Sequence, residues 1–235
     1  MLERNKACSM SNFFVVGTPV GNLEDISLRA LRILKEVDFV VAEDTRITKK
    51  LLSHFQIEKP LVSYHHHSSQ KEVGNVLGLL EEGKNIALVT DAGTPGISDP
   101  GGKIVSEVLK KFGDKVQIIP IPGPNAAVSA LSVSGFPADN FLFLGFPPHK
   151  KGRRAFFQKV AGSECTVVFY ESPHRILKTL KEIDSSETLK NRPLVVCREL
   201  TKKFETIYRG TALEILEKHE QELSRGEITI VINKI

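Results

Sequence analysis

The chain has 235 residues, 41% of them hydrophobic and 26% charged, with 32 lysines and arginines against 28 aspartates and glutamates. That length suits one large domain or two small ones, and the apolar fraction excludes a disordered chain. No apolar run approaches the ~20 residues that span a bilayer, and a net charge of +4 permits a nucleic-acid partner without demanding one.

Cys8, Cys165 and Cys197 are odd in number, far apart and in no CxxC pair. This argues against a disulfide framework and for a reduced, cytoplasmic setting. The first ten residues, MLERNKACSM, lack an apolar signal core and read as a lead-in, with Met10 an alternative start.

In the first half, short β-branched runs at 12–17, 38–42, 61–64, 85–90 and 116–120 predict strands. Between them apolar residues fall at helical spacing: Leu28, Leu31, Leu34 and Val37; Leu51, Leu52 and Phe55; Val76, Leu79 and Leu80; Ile104, Val105, Val108 and Leu109. Such alternation argues a mostly parallel sheet covered by helices. Pro120-Ile-Pro-Gly-Pro124 can continue neither helix nor central strand. The domain boundary is placed there, giving an α/β domain at 1–120 and a second at 121–235. A short helix at 125–134 follows. The second half predicts strands at 141–146, 165–170, 194–198, 204–209 and 227–232, and helices at 153–161, 173–183 and 212–223. The close spacing of its third and fourth strands predicts a hairpin, hence a mixed sheet.

Two loops follow predicted strands in the first domain. Gly17-Thr-Pro-Val-Gly-Asn-Leu-Glu-Asp25 matches neither GxGxxG nor GxxxxGK[ST], so neither a dinucleotide fingerprint nor a P-loop is supported. Its glycines and proline let backbone approach a ligand, though a tight turn with Asp25 or Ser27 as helix cap explains it too. Thr90-Asp-Ala-Gly-Thr-Pro-Gly-Ile-Ser-Asp-Pro-Gly-Gly102 has four glycines and two prolines, with Asp91 and Asp99 adding charge. A loop this long in a compact domain is more often functional than a plain connection ending in a Ser98 or Asp99 cap. A third segment, Ile121-Pro-Gly-Pro-Asn-Ala-Ala-Val-Ser-Ala130, opens a helix with small residues that leave room for a flat group such as a purine.

Ala42-Glu-Asp-Thr-Arg46 reads as a strand end with Asp44 or Thr45 capping a helix. The run His65-His-His67 invites a metal reading, but successive strand residues point to opposite faces and no CxxC or HxxxE completes a site, so no metal is expected. Phe146-Pro-Pro-His-Lys-Lys-Gly-Arg-Arg154 sets four cations before a helix, the best polyanion footprint in the chain, or else a solvated charge run. In Phe169-Tyr-Glu-Ser-Pro-His-Arg175, Ser172 as N-cap with Pro173 in the first turn leaves Tyr170, Glu171, His174 and Arg175 unexplained. In Cys197-Arg-Glu-Leu-Thr-Lys-Lys-Phe-Glu205, Glu199, Lys202, Lys203 and Glu205 crowd a predicted turn.

Taken in order, VGTPVGNLEDIS, VVAEDTR, TDAGTPGISDPG, IPGPNAAVSAL, FLGFPPHKKGRR, FYESPHR and CRELTKKFE closely resemble the bacterial ribosomal RNA small-subunit methyltransferase I family. The likeness runs over about residues 12 to 232. That family is the 16S rRNA 2′-O-ribose methylating branch of the tetrapyrrole-methylase fold. The resemblance implies a two-domain α/β enzyme, a homodimer, with S-adenosyl-L-methionine in the cleft between domains. It implies a cytidine ribose of the small ribosomal subunit's 16S rRNA as target. Gly17-Thr-Pro-Val-Gly21 departs from the GxGPGD-type loop of tetrapyrrole methylases, which weakens a porphyrin reading. Carried over by position, Gly17, Thr18 and Pro19 line the cofactor floor. Asp91, Ala92, Gly93 and Thr94 contact its methionine and ribose part. Asn125, Ala126, Tyr170 and Leu200 border the adenosine. Family members often extend past the last strand with a helical segment; with Ile235 the last residue here, contacts from such an extension are not expected.

Methyl transfer from a sulfonium is an in-line displacement with a good leaving group. Alignment can contribute about 7–11 kcal/mol, and a base for the ribose hydroxyl typically 10²–10⁴-fold. A lysine with a depressed pKa could act, as could a carboxylate; place in a polar turn near the expected cleft points to Lys202, with Glu199, Asp99 and Glu171 as alternatives. Lys150, Lys151, Arg153 and Arg154, with His174, Arg175 and Lys203, are the expected RNA contacts. Two other readings compete: a small-molecule C- or N-methylase of the same fold, which the cationic loop disfavours, and a non-catalytic RNA-binding assembly factor, which loss of the 90–102 glycines would have favoured.

Overall fold

The computed structural model describes residues 11–65 and 68–235. Cys8, Met10, His66 and His67 lie outside the described residues. The chain splits into two compact units, Met1–Pro124 and Asn125–Ile235.

In unit 1 the elements alternate: β1 (Ser11–Val16), α1 (Leu28–Glu36), β2 (Phe39–Ala42), α2 (Thr45–His54), β3 (Leu61–Ser63), α3 (Gln70–Glu81), β4 (Ile86–Leu88), α4 (Gly101–Phe112) and β5 (Val116–Ile121). The strands form one sheet in the order β3-β2-β4-β1-β5, every pair parallel. Side-chain alternation sends Val40, Ala42 and Ala87 to one face, where they pack with Ala30, Ile33 and Leu34 of α1 and Leu52 of α2. Val41, Ile86 and Leu88 face the other way, onto Val76 and Leu80 of α3 and Ile104 and Val108 of α4. Helices thus cover both faces, as a parallel sheet requires.

The spacing of apolar residues in α1 misplaced one of them. Leu28 is 86% exposed, and Ala30 and Ile33 complete the buried stripe with Leu34. Ser27 is the N-cap, its hydroxyl accepting from the Ala30 amide.

From β1 the chain crosses to β2 on one side, and from β4 it crosses to β5 on the other. The adjacent strands β1 and β4 therefore flank a topological switch point, where the loops leaving their carboxyl ends diverge. Ligands of open α/β sheets bind at such a point.

Unit 2 contains α5 (Ala126–Ser134), β6 (Phe141–Phe143), α6 (Arg153–Ala161), β7 (Thr166–Glu171), α7 (Ile176–Asp184), β8 (Leu194–Arg198), β9 (Thr206–Gly210), α8 (Ala212–Leu223) and β10 (Ile228–Ile232). Its sheet order is β6-β7-β10-β8-β9, with β6 parallel to β7 and the other pairs antiparallel. β8 and β9 form the expected hairpin. One face packs on α7 and α8, the other on α5.

Helix α7 starts at Ile176 rather than at Pro173. Residues 173–175 form a preceding turn, and the Ser172 hydroxyl accepts from Arg175 Nε instead of capping backbone amides.

Among the described residues no helix is long and apolar enough to cross a membrane.

Candidate functional site

Three loops of unit 1 leave the carboxyl ends of β1, β4 and β5 and are tied to one another. Gly17 donates its amide to Ile121 O at 3.1 Å. Thr18 and Gly93 exchange backbone bonds of 2.8 and 3.1 Å, a two-residue antiparallel bridge. The buried Thr18 hydroxyl lies 3.0 Å from Thr90 O and 3.2 Å from Gly93 O. Thr94 Oγ1 donates to Pro124 O at 3.1 Å. A Cβ on Gly17 would sit 2.7 Å from Gly123 Cα, so neither glycine tolerates a side chain at this crossing.

Asp99 organises the far end of the 90–100 loop. Its Oδ1 accepts from Gly96 N at 2.7 Å and Gly101 N at 2.6 Å, which also supplies the missing cap at the start of α4. Its Oδ2 is buried and has no hydrogen-bond partner among the described residues. Ser98 beside it holds φ +61, a conformation that a non-glycine residue adopts at an energetic cost.

At the near end, Asp91 Oδ1 accepts the Asp44 amide at 3.0 Å. Burial pushes the Asp91 carboxyl above the usual range, and that amide works against it. Asp44 caps α2. Side-chain and backbone hydrogen bonds from Arg46 hold its carboxyl at about 2. Thr90 Oγ1 lies 3.1 Å from Glu43 Oε2. A cavity of about 210 Å³ opens beside these groups, with Thr18, Pro19, Ile47, Thr90 and Asp91 in its wall.

Gly17, Thr18, Pro19, Asp91, Ala92, Gly93 and Thr94 therefore all lie in the joined loops. In unit 2, Asn125 caps α5, its Oδ1 accepting from Ala127 N at 3.1 Å and Val128 N at 3.2 Å. Ala126, Tyr170 and Leu200 share one apolar cluster with Ala127 and Cys197. The Tyr170 ring meets Phe143 at 5.1 Å and the half-exposed Phe146 at 5.4 Å. Burial raises its phenol pKa, with the Ala127 amide opposing.

Three of the four base candidates are engaged with other groups of the chain. Burial works to depress Lys202, but hydrogen bonds to Glu199 (3.0 Å) and Glu227 (3.1 Å) outweigh it and raise the ammonium pKa. Lys202 is thus held as a cation between two carboxylates. Burial works to raise Glu199, but the Glu227 amide and Lys202 pull it below its usual value, which weakens it as a base. Its backbone at φ +52, and that of Thr201 at φ +66, make the 199–205 turn a strained one.

Glu171 is 1% exposed and engaged on every side. Arg175 Nη2 lies 2.8 Å from Oε1, which also accepts the Ser172 amide, and the Thr179 hydroxyl donates to Oε2 at 2.6 Å. It is a buried strut. Asp99 alone of the four keeps a buried oxygen without a protein partner among the described residues.

Two expected RNA contacts are engaged likewise. Arg153 is 6% exposed. It bonds Glu182 Oε2 (2.8 Å), Thr179 Oγ1 (2.6 Å) and Pro148 O (3.3 Å), and covers the Phe157 ring at 5.2 Å. Arg175 is spent on Glu171, Ser172 and Pro147 O. Lys150, Lys151, Arg154, His174 and Lys203 are exposed. Lys150 and Arg154 share a groove, while Lys203 belongs to the 199–205 turn.

Sequence reasoning missed Glu227, Thr179 and Glu182. Glu227 comes from a distant segment and gave no signal. Thr179 and Glu182 follow Arg175 and Lys178 at the four-residue helical step, a signal that a correct α7 start exposes.

Residues 12–216 match the model of the tetrapyrrole (corrin/porphyrin) methylases. The chain is 44% identical to ribosomal RNA small subunit methyltransferase I of Thermotoga maritima, over 95% of this chain and 99% of that protein. It is 46% identical to the protein of that name from Halalkalibacterium halodurans, over 93% and 74%. The solved structure of the cobalamin biosynthetic enzyme cobalt precorrin-4 methyltransferase superposes with a TM-score of 0.71 over 96% of each chain, at 18% identity. That last likeness speaks for the fold.

Proposed function

We propose, given that this chain belongs to the tetrapyrrole (corrin/porphyrin) methylase family and within it to the ribosomal RNA small subunit methyltransferase I group, that it methylates a ribose 2′-oxygen of a 16S rRNA cytidine, using S-adenosyl-L-methionine. The observation that carries the reading is the joined floor of Gly17–Thr18, Gly93–Thr94 and Gly123–Pro124 at the strand switch point.

The residues present fit that donor. Asp99 Oδ2 is a buried acceptor with no donor among the described residues, and leaving it unsatisfied costs free energy that a substrate hydroxyl beside the methyl donor recovers. The glycine crossing packs backbone against backbone, where side chains would fill the space. S-adenosyl-L-methionine supplies an electrophilic methyl group on a sulfonium.

The chain's own residues do the rest. Gly17 to Pro19 and Asp91 to Thr94 orient the donor. Asp99 takes the proton from the ribose hydroxyl. Lys202, kept cationic by Glu199 and Glu227, steadies the 199–205 turn.

Incubation with labelled S-adenosyl-L-methionine and unmodified small subunits tests the reading. Label on a cytidine 2′-oxygen supports it. Label on a base, or none, overturns it.

A further inference from the structure

We infer that the outer face of α6 and α7 carries a phosphodiester-binding groove that anchors RNA. The groove is in unit 2 and holds about 520 Å³, within the roughly 300–1,000 Å³ of clefts that take small ligands. The inference rests on the proposed RNA substrate, but its test does not require methyl transfer.

Charge placement is the first observation. Lys150 precedes α6, Arg154 sits in its first turn and Lys178 comes from α7; all three are exposed and line the groove. The sequence pointed to the first two, whereas Lys178 joins them only in the fold. Arg153, the fourth cation in the wall, is spent internally and positions α6 on α7. Glu182, the acidic member of the lining, is already bonded by Arg153 at 2.8 Å and approached by Lys178 at 3.8 Å. The outward charge is therefore positive.

The second observation is that these cations stand at the wrong end of a helix. A helix N-terminus is itself positive and favours acidic first-turn residues. Helix α6 has none there; its N-cap is Gly152, which supplies no side-chain oxygen to the first amides. The other end is served well, with Arg192 donating to Val160 O and Ala161 O at 3.2 and 2.6 Å. A bound anion resolves the conflict, satisfying cations and helix terminus together.

The third observation is the rest of the lining. Gln158, Ser186 and Thr188 bring neutral hydrogen-bonding groups to the same groove. Cations spread over two helices, with amide and hydroxyl groups between them, suit a chain of phosphates and ribose hydroxyls.

The test titrates the full chain with labelled single-stranded RNA across a salt series. The comparison is the variant Lys150→Gln/Arg154→Gln/Lys178→Gln, with Lys178→Gln alone as the milder change. The triple variant is expected to bind about tenfold more weakly at physiological salt, and its log–log salt slope to fall by about 2. Its affinity for S-adenosyl-L-methionine is expected to stay unchanged. Equal RNA affinity and slope in wild type and both variants overturn the inference. So does complete displacement of RNA by inorganic phosphate at matched ionic strength, which identifies a small-anion pocket. Weaker RNA binding by the triple variant, beside a wild type that transfers no methyl group, leaves the groove standing and removes the catalytic reading.

Discussion

Gly17 and Gly123 approach so closely that a Cβ on Gly17 would lie 2.7 Å from Gly123 Cα, and one on Gly123 2.8 Å from Gly17 Cα. The neighbours are backbone atoms, which cannot swing away as a flexible side chain does. Gly17→Ala is therefore expected to separate the loops after β1 and β5, with an overpacking cost of about 1–3 kcal/mol. Thermal melting read by circular dichroism checks this. A variant as stable as wild type contradicts the crossing.

As the proposed proton acceptor, Asp99 is expected to matter more for rate than for binding. Asp99→Asn keeps an oxygen for the Gly96 and Gly101 amides and removes the basic charge. Single-turnover methylation is expected to fall between about 10²- and 10⁴-fold, with the loop intact. A rate within a few-fold of wild type removes Asp99 from the chemistry.

Buried Glu171 pairs with Arg175 at 2.8 Å and lies 3.6 Å from Arg153, to which Thr179 bridges it. Removing one partner of a buried pair strands the other's charge, at a cost of about 3–5 kcal/mol. Glu171→Gln is expected to lower the urea midpoint accordingly, whereas Lys151→Gln, on an exposed lysine, stays within about 0.5 kcal/mol. A tolerant Glu171→Gln denies the strut role.

The Glu199–Lys202 pair sets a pH dependence. Despite burial, the Glu227 amide and Lys202 hold Glu199 below 4.5, so its stabilisation is complete above 4.5 and is lost as pH falls through the depressed value. Lys202 is raised above 10.5, so its contribution is complete below 10.5 and is lost as pH climbs through the raised value. Neutral pH lies inside both limits. Urea midpoints followed into acid are expected to fall less steeply for Glu199→Gln than for wild type. Parallel curves exclude the pair as a source of acid sensitivity.

Much of this was legible in the chain. Strand and helix periodicity located both sheets, and α6 and α8 match their expected ranges at 153–161 and 212–223. The glycine- and proline-rich loops announced themselves because little else needs such backbone. What stayed hidden depends on partners distant in sequence. Four cations before a helix read as one exposed footprint, yet Glu171, Thr179 and Glu182 draw Arg153 inward. Lys202 pointed to a base because nothing local revealed Glu227 beside it. The Gly17–Gly123 crossing is invisible until β1 and β5 pair.

Direct titration of the protein with S-adenosyl-L-methionine in a calorimeter tests the central claim, that the joined loops of unit 1 form the floor of a methyl-donor site. Saturable binding at one site per chain, displaced by S-adenosylhomocysteine and abolished by Gly123→Val, is the expected result. No heat of binding, or binding that Gly123→Val leaves untouched, contradicts the account.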